Sequence, residues 1–76
     1  MFKVEGGWQA IPREPNFSAW IERSVMDDKI EVRVRRLEPR AYGVEFIDMR
    51  DMMSDPYGLT DVVFRCVAKV KALPTE

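Results

Sequence analysis

The chain has 76 residues, 46% hydrophobic and 33% charged, and a formal net charge of −1. This is the composition of one small folded domain over residues 1–76, with 74–76 as a frayed tail, and it excludes low-hydrophobicity disorder. A domain of this length buries only roughly 60% of the surface its unfolded form exposes, so a deep substrate cleft would compete with the core for apolar side chains.

Residues 2–11 predict a short strand interrupted at Gly6-Gly7, where a bulge or a close backbone approach is expected. Pro12 and Pro15 mark a loop. Phe17, Trp20, Ile21, Ser24 and Val25 then fall at i, i+3, i+4, i+7 and i+8, which predicts a helix over 16–26 with Asn16 as its N-cap. The rival is a strand that runs into a turn at Asp27-Asp28.

Lys29 to Leu37 alternates strictly. Ile30, Val32 and Val34 point to one side, while Glu31, Arg33 and Arg35 point to the other, as in a half-buried strand. Glu38-Pro39-Arg40 turns the chain, and Tyr42, Val44 and Phe46 alternate again, so the two runs form a hairpin. Asp55-Pro56-Tyr57-Gly58 has the residue preferences of a type I turn, and residues 51–57 before and within it are expected to be a loop.

Thr60 to Leu73 fits two templates. A strand gives one apolar face of Val62, Phe64, Cys66, Ala68 and Val70. A helix gives a stripe of Leu59, Val62, Val63, Cys66, Val67, Val70 and Leu73. The β-branched content favours the strand and the length favours the helix; the strand is preferred.

The expected architecture is a small α+β, two-layer domain. Three or four strands form an antiparallel meander, with one helix packed on one face. Phe17, Trp20, Ile21 and Val25 would meet Ile30, Val32, Val34, Val44, Phe46, Phe64, Cys66 and Val70 in one core. If the last segment is helical, the order becomes α-β-β-α on a smaller sheet.

The opening Met1-Phe2-Lys3-Val4-Glu5 lacks the apolar run of a signal peptide, and no apolar run approaches the ~20 residues of a membrane span. A cytoplasmic, membrane-free protein is expected. Cys66 is the only cysteine, so it forms no internal disulfide, and it is expected to pack as a small hydrophobe.

The absence of histidine carries the most chemical information. It removes the usual general base and the commonest metal ligand, and with them the Ser-His-Asp and Cys-His nucleophile systems. One thiol cannot hold zinc. Asp27-Asp28, Asp48, Asp51, Asp55 and Asp61 do not follow the calcium-loop pattern and read as solvated turns. No glycine-rich phosphate loop is present. No catalytic residue, metal site or cofactor is therefore expected, and the chain is expected not to be an enzyme.

Arg36-Leu37-Glu38-Pro39-Arg40 is similar to the R-x-x-x-R element of PilZ domains, which bind a cyclic dinucleotide on a small β-barrel. The second element, [DN]-x-S-x-x-G, is not met. Met52 stands two residues before Ser54, and Gly58 lies one position too far. The function of that family is not carried over on this likeness.

Charge distribution is the remaining clue. Lys29 to Arg40 holds five basic and two acidic residues, whereas Glu45 to Asp61 holds five acidic and one basic. A basic sheet face is expected, with Arg33 and Arg35 joined by Arg65, Lys69 and Lys71 of the last strand. It would dock an acidic protein surface or phosphates, or simply be a solvated face. Met and Tyr near Tyr57, and Trp8 beside Gly6-Gly7, are candidate anchors or core.

The preferred functional reading is a small inhibitor or adaptor that occludes a protein partner, using Arg33, Arg35, Arg36 and Arg40 with Tyr57 and Trp8 as anchors. In size and charge density such a chain is similar to phage-encoded host-takeover proteins, anti-CRISPR proteins among them. Nucleic-acid binding is the alternative, lowered by the missing aromatic pattern on the expected exposed face. A homo-oligomer or small structural subunit is the third reading.

Overall fold

The computed structural model describes residues 2–24, 28–55 and 57–73. Strands β1 (Trp8–Ile11), β2 (Glu14–Arg23), β3 (Lys29–Arg36) and β4 (Ala41–Asp48) are followed by helices α1 (Met49–Ser54) and α2 (Gly58–Lys71). The strands form one antiparallel sheet in the order β1-β2-β3-β4. Helix α2 packs on one face of it, giving the two-layer α+β meander that the sequence predicts, built from different segments.

The helix expected over 16–26 is strand β2. Phe17 and Ile21 are four apart, a spacing that falls on one face under both the helical and the extended period. Pairing settles the choice: Ile21 lies opposite Val32, Ala19 opposite Val34 and Phe17 opposite Arg36. Ala19 completes the buried row, and Trp20 points to the other side of the sheet, opposite Arg33. Asn16 is no N-cap. Its side chain exchanges hydrogen bonds with the backbone of Glu38 in the β3–β4 turn, donating to the carbonyl at 2.6 Å and accepting from the amide at 3.2 Å. Val25 and the Asp27 turn position lie outside the described residues, as does the expected tail 74–76.

The strand preferred for Thr60–Leu73 is helix α2, which is the helical alternative. Val62, Cys66 and Val70 recur every four residues and so satisfied both templates. The helix adds Val63 and Val67 to the buried stripe, which a strand would have turned to solvent. Asp61 in its first turn and Lys69 and Lys71 in its last complement the helix dipole.

The helix sits close to the sheet at Gly43. A Cβ there would come within 2.6 Å of Val70 Cγ2 and 3.2 Å of Cys66 Sγ. Cys66 is buried, as expected of a small hydrophobe, and burial first, then the charge of Glu45, pushes its thiol above its ordinary 9.0. The core comprises Ile11, Phe17, Ala19, Ile21, Ile30, Val32 and Val34 from the sheet, against Val62, Val63, Cys66, Val67 and Val70 from α2.

The β3–β4 hairpin is present, but β4 has the opposite facing to the expected one. Val32 pairs with Glu45 and Val34 with Gly43, so Ala41, Gly43, Glu45 and Ile47 share the helix side. Tyr42, Val44 and Phe46 are therefore on the far side and exposed, not in the core. Phe64 also leaves the core; it is exposed on α2, where it meets the edge of Phe2.

Residues 51–54, expected in a loop, belong to α1, while Gly58 N–H bonds to the Asp55 carbonyl at 3.0 Å as a β-turn would require. Pro56 of that turn lies outside the described residues. Gly6 and Gly7 both take left-handed φ, at 68° and 117°, and Gly6 N–H bonds to the Ile21 carbonyl. The close backbone approach expected there is thus made on β2.

A candidate docking face on the open side of the sheet

No described element packs on the face of the sheet opposite α2. Strand parity and register determine what it carries. One row across the strands reads Trp8, Trp20, Arg33, Val44; the next reads Ser18, Arg35, Tyr42; on the other side of the first lie Glu22, Glu31 and Phe46. Lys29 opposite Asp48 closes that second end. Tyr42 and Phe46 are each just over half exposed and Val44 is exposed, whereas the two tryptophans are half-buried against one another.

The tryptophan rings meet edge to face, with centroids 5.5 Å apart and planes at 72°. The Arg35 guanidinium lies over the Trp8 ring, 4.2 Å from its centroid. This ladder of Arg35, Trp8 and Trp20 spans three strands. Within it the Trp20 Nε1 and Arg35 Nε donors are shielded from solvent and have no hydrogen-bond partner among the described residues. The two arginines of the face differ in their pairing. Arg33 is bonded to the Glu31 carboxylate beside it. Arg35 makes no ion pair among the described residues.

Of the six residues expected to bind a partner, three stand on or beside this face: Trp8, Arg33 and Arg35. Arg40 is exposed in the β3–β4 turn, at the same end as Arg35. Tyr57 is exposed but sits in the α1–α2 connection, outside the sheet. Arg36 is a correction. It follows Arg35 by one residue, so parity turns it to the helix side, where it is buried. Its Nε donates to the Pro39 carbonyl at 2.6 Å and its Nη1 to the Val70 carbonyl at 3.3 Å. It joins the hairpin turn to the C-terminal end of α2, a favourable place for a cation. Arg36 and Arg40 therefore do not share a surface, and the sheet is an open meander rather than the barrel of PilZ domains.

The basic cluster of the last segment is also elsewhere. Because that segment is helical, Arg65, Lys69 and Lys71 ride on α2 in the opposite layer. Lys69 and Arg65 flank Glu45 at 2.9 and 3.8 Å, and Lys71 reaches Glu14 at 2.6 Å. The hydrogen bond and charge of Glu45 hold the Lys69 ammonium above its ordinary 10.5. These pairs pin the two edges of the helix to the sheet. The open face that remains is charge-balanced, with Lys29, Arg33 and Arg35 against Glu22, Glu31 and Asp48.

Trp20, Val44 and Phe46 were expected in the core, and Tyr42, which shares the alternation of the latter two, was not singled out as a surface residue. The exposed face was also expected to lack aromatics, and the structure reverses this.

Clefts among the described residues lie elsewhere, near the Asp48 end of the sheet and beside Phe2 and the β1–β2 turn. One of about 860 Å³ is bordered by Asp28, Asp48, Arg50, Asp51 and Ser54. There the Ser54 hydroxyl donates to the Asp51 carbonyl at 3.1 Å, not to a base. Among the described residues no three thiols or carboxylates converge to hold an ion. Among the same residues no helix is long and apolar enough to cross a membrane.

These features define the class: a small α+β domain with one sheet face closed by a helix and the other left as an aromatic, arginine-bearing platform. Comparison with protein-family models, curated proteins and solved structures found no match.

Proposed function

We propose that this chain is a non-enzymatic binding protein that docks a protein partner on the open face of its sheet, acting as a small inhibitor or adaptor by occluding the surface it covers. One observation carries the reading. Tyr42, Val44 and Phe46 are exposed side by side with the Trp8–Trp20–Arg35 ladder on a face that no described element covers. Contiguous apolar surface of this kind marks interaction sites, and Trp, Tyr and Arg dominate the binding energy of protein interfaces.

The same rings favour a second reading, single-stranded nucleic acid stacked on the sheet. Charge separates the two. A phosphate backbone needs a basic track, and this face balances its charges.

The test places a photo-crosslinking residue at Val44, on the open face, or at Ala68, exposed on α2. In the native cell, Val44 should yield a protein adduct of discrete mass and Ala68 none. Equal adducts from both positions, adducts to nucleic acid alone, or no adduct from Val44 would refute the reading.

A further inference from the structure

We propose that the partner presents a carboxylate to Arg35, set between apolar side chains, so that the open face selects an acidic and apolar protein segment. The inference rests on the docking reading above and adds the chemistry of the occupant.

The charges of the face differ in how far they are compensated. Arg33 is bonded to Glu31, whereas Lys29, opposite Asp48 in the register, makes no ion pair among the described residues. Arg35 has no carboxylate partner among the described residues, yet its guanidinium is held against an aromatic ring. Its guanidinium is stacked on Trp8 at 4.2 Å, and Ser18 and Tyr42 are its cross-strand neighbours. Stacking removes much of the side-chain entropy that a surface ion pair would otherwise cost. The shielded Nε leaves the terminal nitrogens as the open end of the fork. A planar cation held against a ring, with its two terminal nitrogens bonded to no described residue, matches a carboxylate in geometry and sign.

The surroundings narrow the choice further. Trp8, Trp20, Tyr42 and Val44 lie around or next to Arg35. An anion docked there is flanked by apolar surface and partly desolvated, which strengthens the pair and penalises a partner that leaves Arg35 uncompensated. The face is also polarised along the strands. Arg35 and exposed Arg40 mark one end, and at the other Glu22, Glu31 and Asp48 outnumber Lys29. An acidic group is therefore accepted at the Arg35 end and repelled at the far end, which orients the segment.

The experiment uses the full chain, immobilised, to select from a phage-displayed random 12-residue peptide library. Selected peptides are then tested for loss of binding to Trp20→Ser, which disrupts the platform, and to Arg35→Gln and Arg35→Lys, with circular dichroism confirming that each variant is folded. The expected result is enrichment of peptides that combine Asp or Glu with aromatic or branched residues. Their affinity should fall about tenfold or more with Arg35→Gln, and should fall for Arg35→Lys as well, since lysine keeps the charge but loses the fork and the stack.

Peptides that need Trp20 but are neutral or basic, or are indifferent to Arg35→Gln, would overturn this inference and leave the docking face standing. No peptide dependent on Trp20 would overturn both. Self-association in light scattering that Trp20→Ser abolishes would make a second copy the occupant and would also overturn the proposal.

Discussion

Gly43→Ala is the sharpest probe of how the two layers fit. Gly43 does not have a left-handed φ; among the described glycines only Gly6 and Gly7 do. Alanine at such a site normally stabilises by about 0.4–1 kcal/mol, through a less flexible unfolded chain. Here the new methyl would stand 2.6 Å from Val70 Cγ2, against an optimal carbon–carbon separation of about 3.5–4.0 Å. Val70 is fully buried and β-branched on a helix, with one strongly preferred rotamer, so it cannot swing aside. The helix has to lift, and overpacking of this kind costs about 1–3 kcal/mol. The clash exceeds the entropic gain, and the net loss is about 1–2 kcal/mol. For a domain of this size that lowers Tm by about 4–16 °C.

Val70→Ala alone should cost about 2 kcal/mol from lost burial and the cavity it leaves. In the double variant the two costs should not add, because the clashing methyl is gone; a coupling of about 1 kcal/mol is expected from urea unfolding followed by circular dichroism. A Gly43→Ala protein as stable as the parent, or strictly additive costs, would refute the close-approach reasoning.

Phe17→Ala should cost about 3–5 kcal/mol and Phe46→Ala well under about 1 kcal/mol, a contrast that checks the sidedness of the sheet by thermal unfolding. Arg36→Met should lose about 1–3 kcal/mol in thermal unfolding, because the Pro39 carbonyl loses its donor, while the Val70 carbonyl keeps the Leu73 amide at 3.1 Å. The raised thiol of Cys66 and the raised ammonium of Lys69 both stabilise the fold fully at low pH and lose that contribution as pH climbs, from 9.0 for Cys66 and from 10.5 for Lys69. Glu45→Gln should therefore give a shallower alkaline loss of stability than the parent in pH-dependent urea titrations. At pH 8 a thiol-specific reagent should modify Cys66 only as fast as the protein opens, and reaction of the folded chain at the rate of a free thiol would contradict its burial.

Strand β3 was legible because its alternation is strict and its two faces differ in kind, β-branched on one side and charged on the other. Strand β4 was legible as a strand but not in its facing. Its exposed set, Tyr42, Val44 and Phe46, is more apolar than its inward set, Ala41, Gly43, Glu45 and Ile47, so hydrophobicity points the wrong way. Only the register with β3, Val32 opposite Glu45, corrects it. Strand β2 and helix α2 were exchanged for one shared reason: apolar residues four apart look alike in both geometries. The misplacement of α2 carried Arg65, Lys69 and Lys71 to the wrong layer. Arg33 and Arg35 were legible as face residues because they belong to β3, and Arg36 was not separated from them because a charged run hides the parity change at its last member.

The choice of face by α2 explains why a platform is left at all. Both sides of the sheet are apolar enough to attract a helix, and α2 has one apolar stripe. The side it covers offers Ala19, Ala41 and Gly43, small residues that let a valine-rich helix come close. Closing on the other side would bury Glu22, Glu31, Arg33 and Arg35 beneath valines that offer them no hydrogen bonds, and removing such charges from water costs several kcal/mol each. A helix of this composition cannot compensate them. A partner with its own carboxylates and apolar groups would, so under the proposed docking the charges that exclude α2 are the same ones that would select the partner.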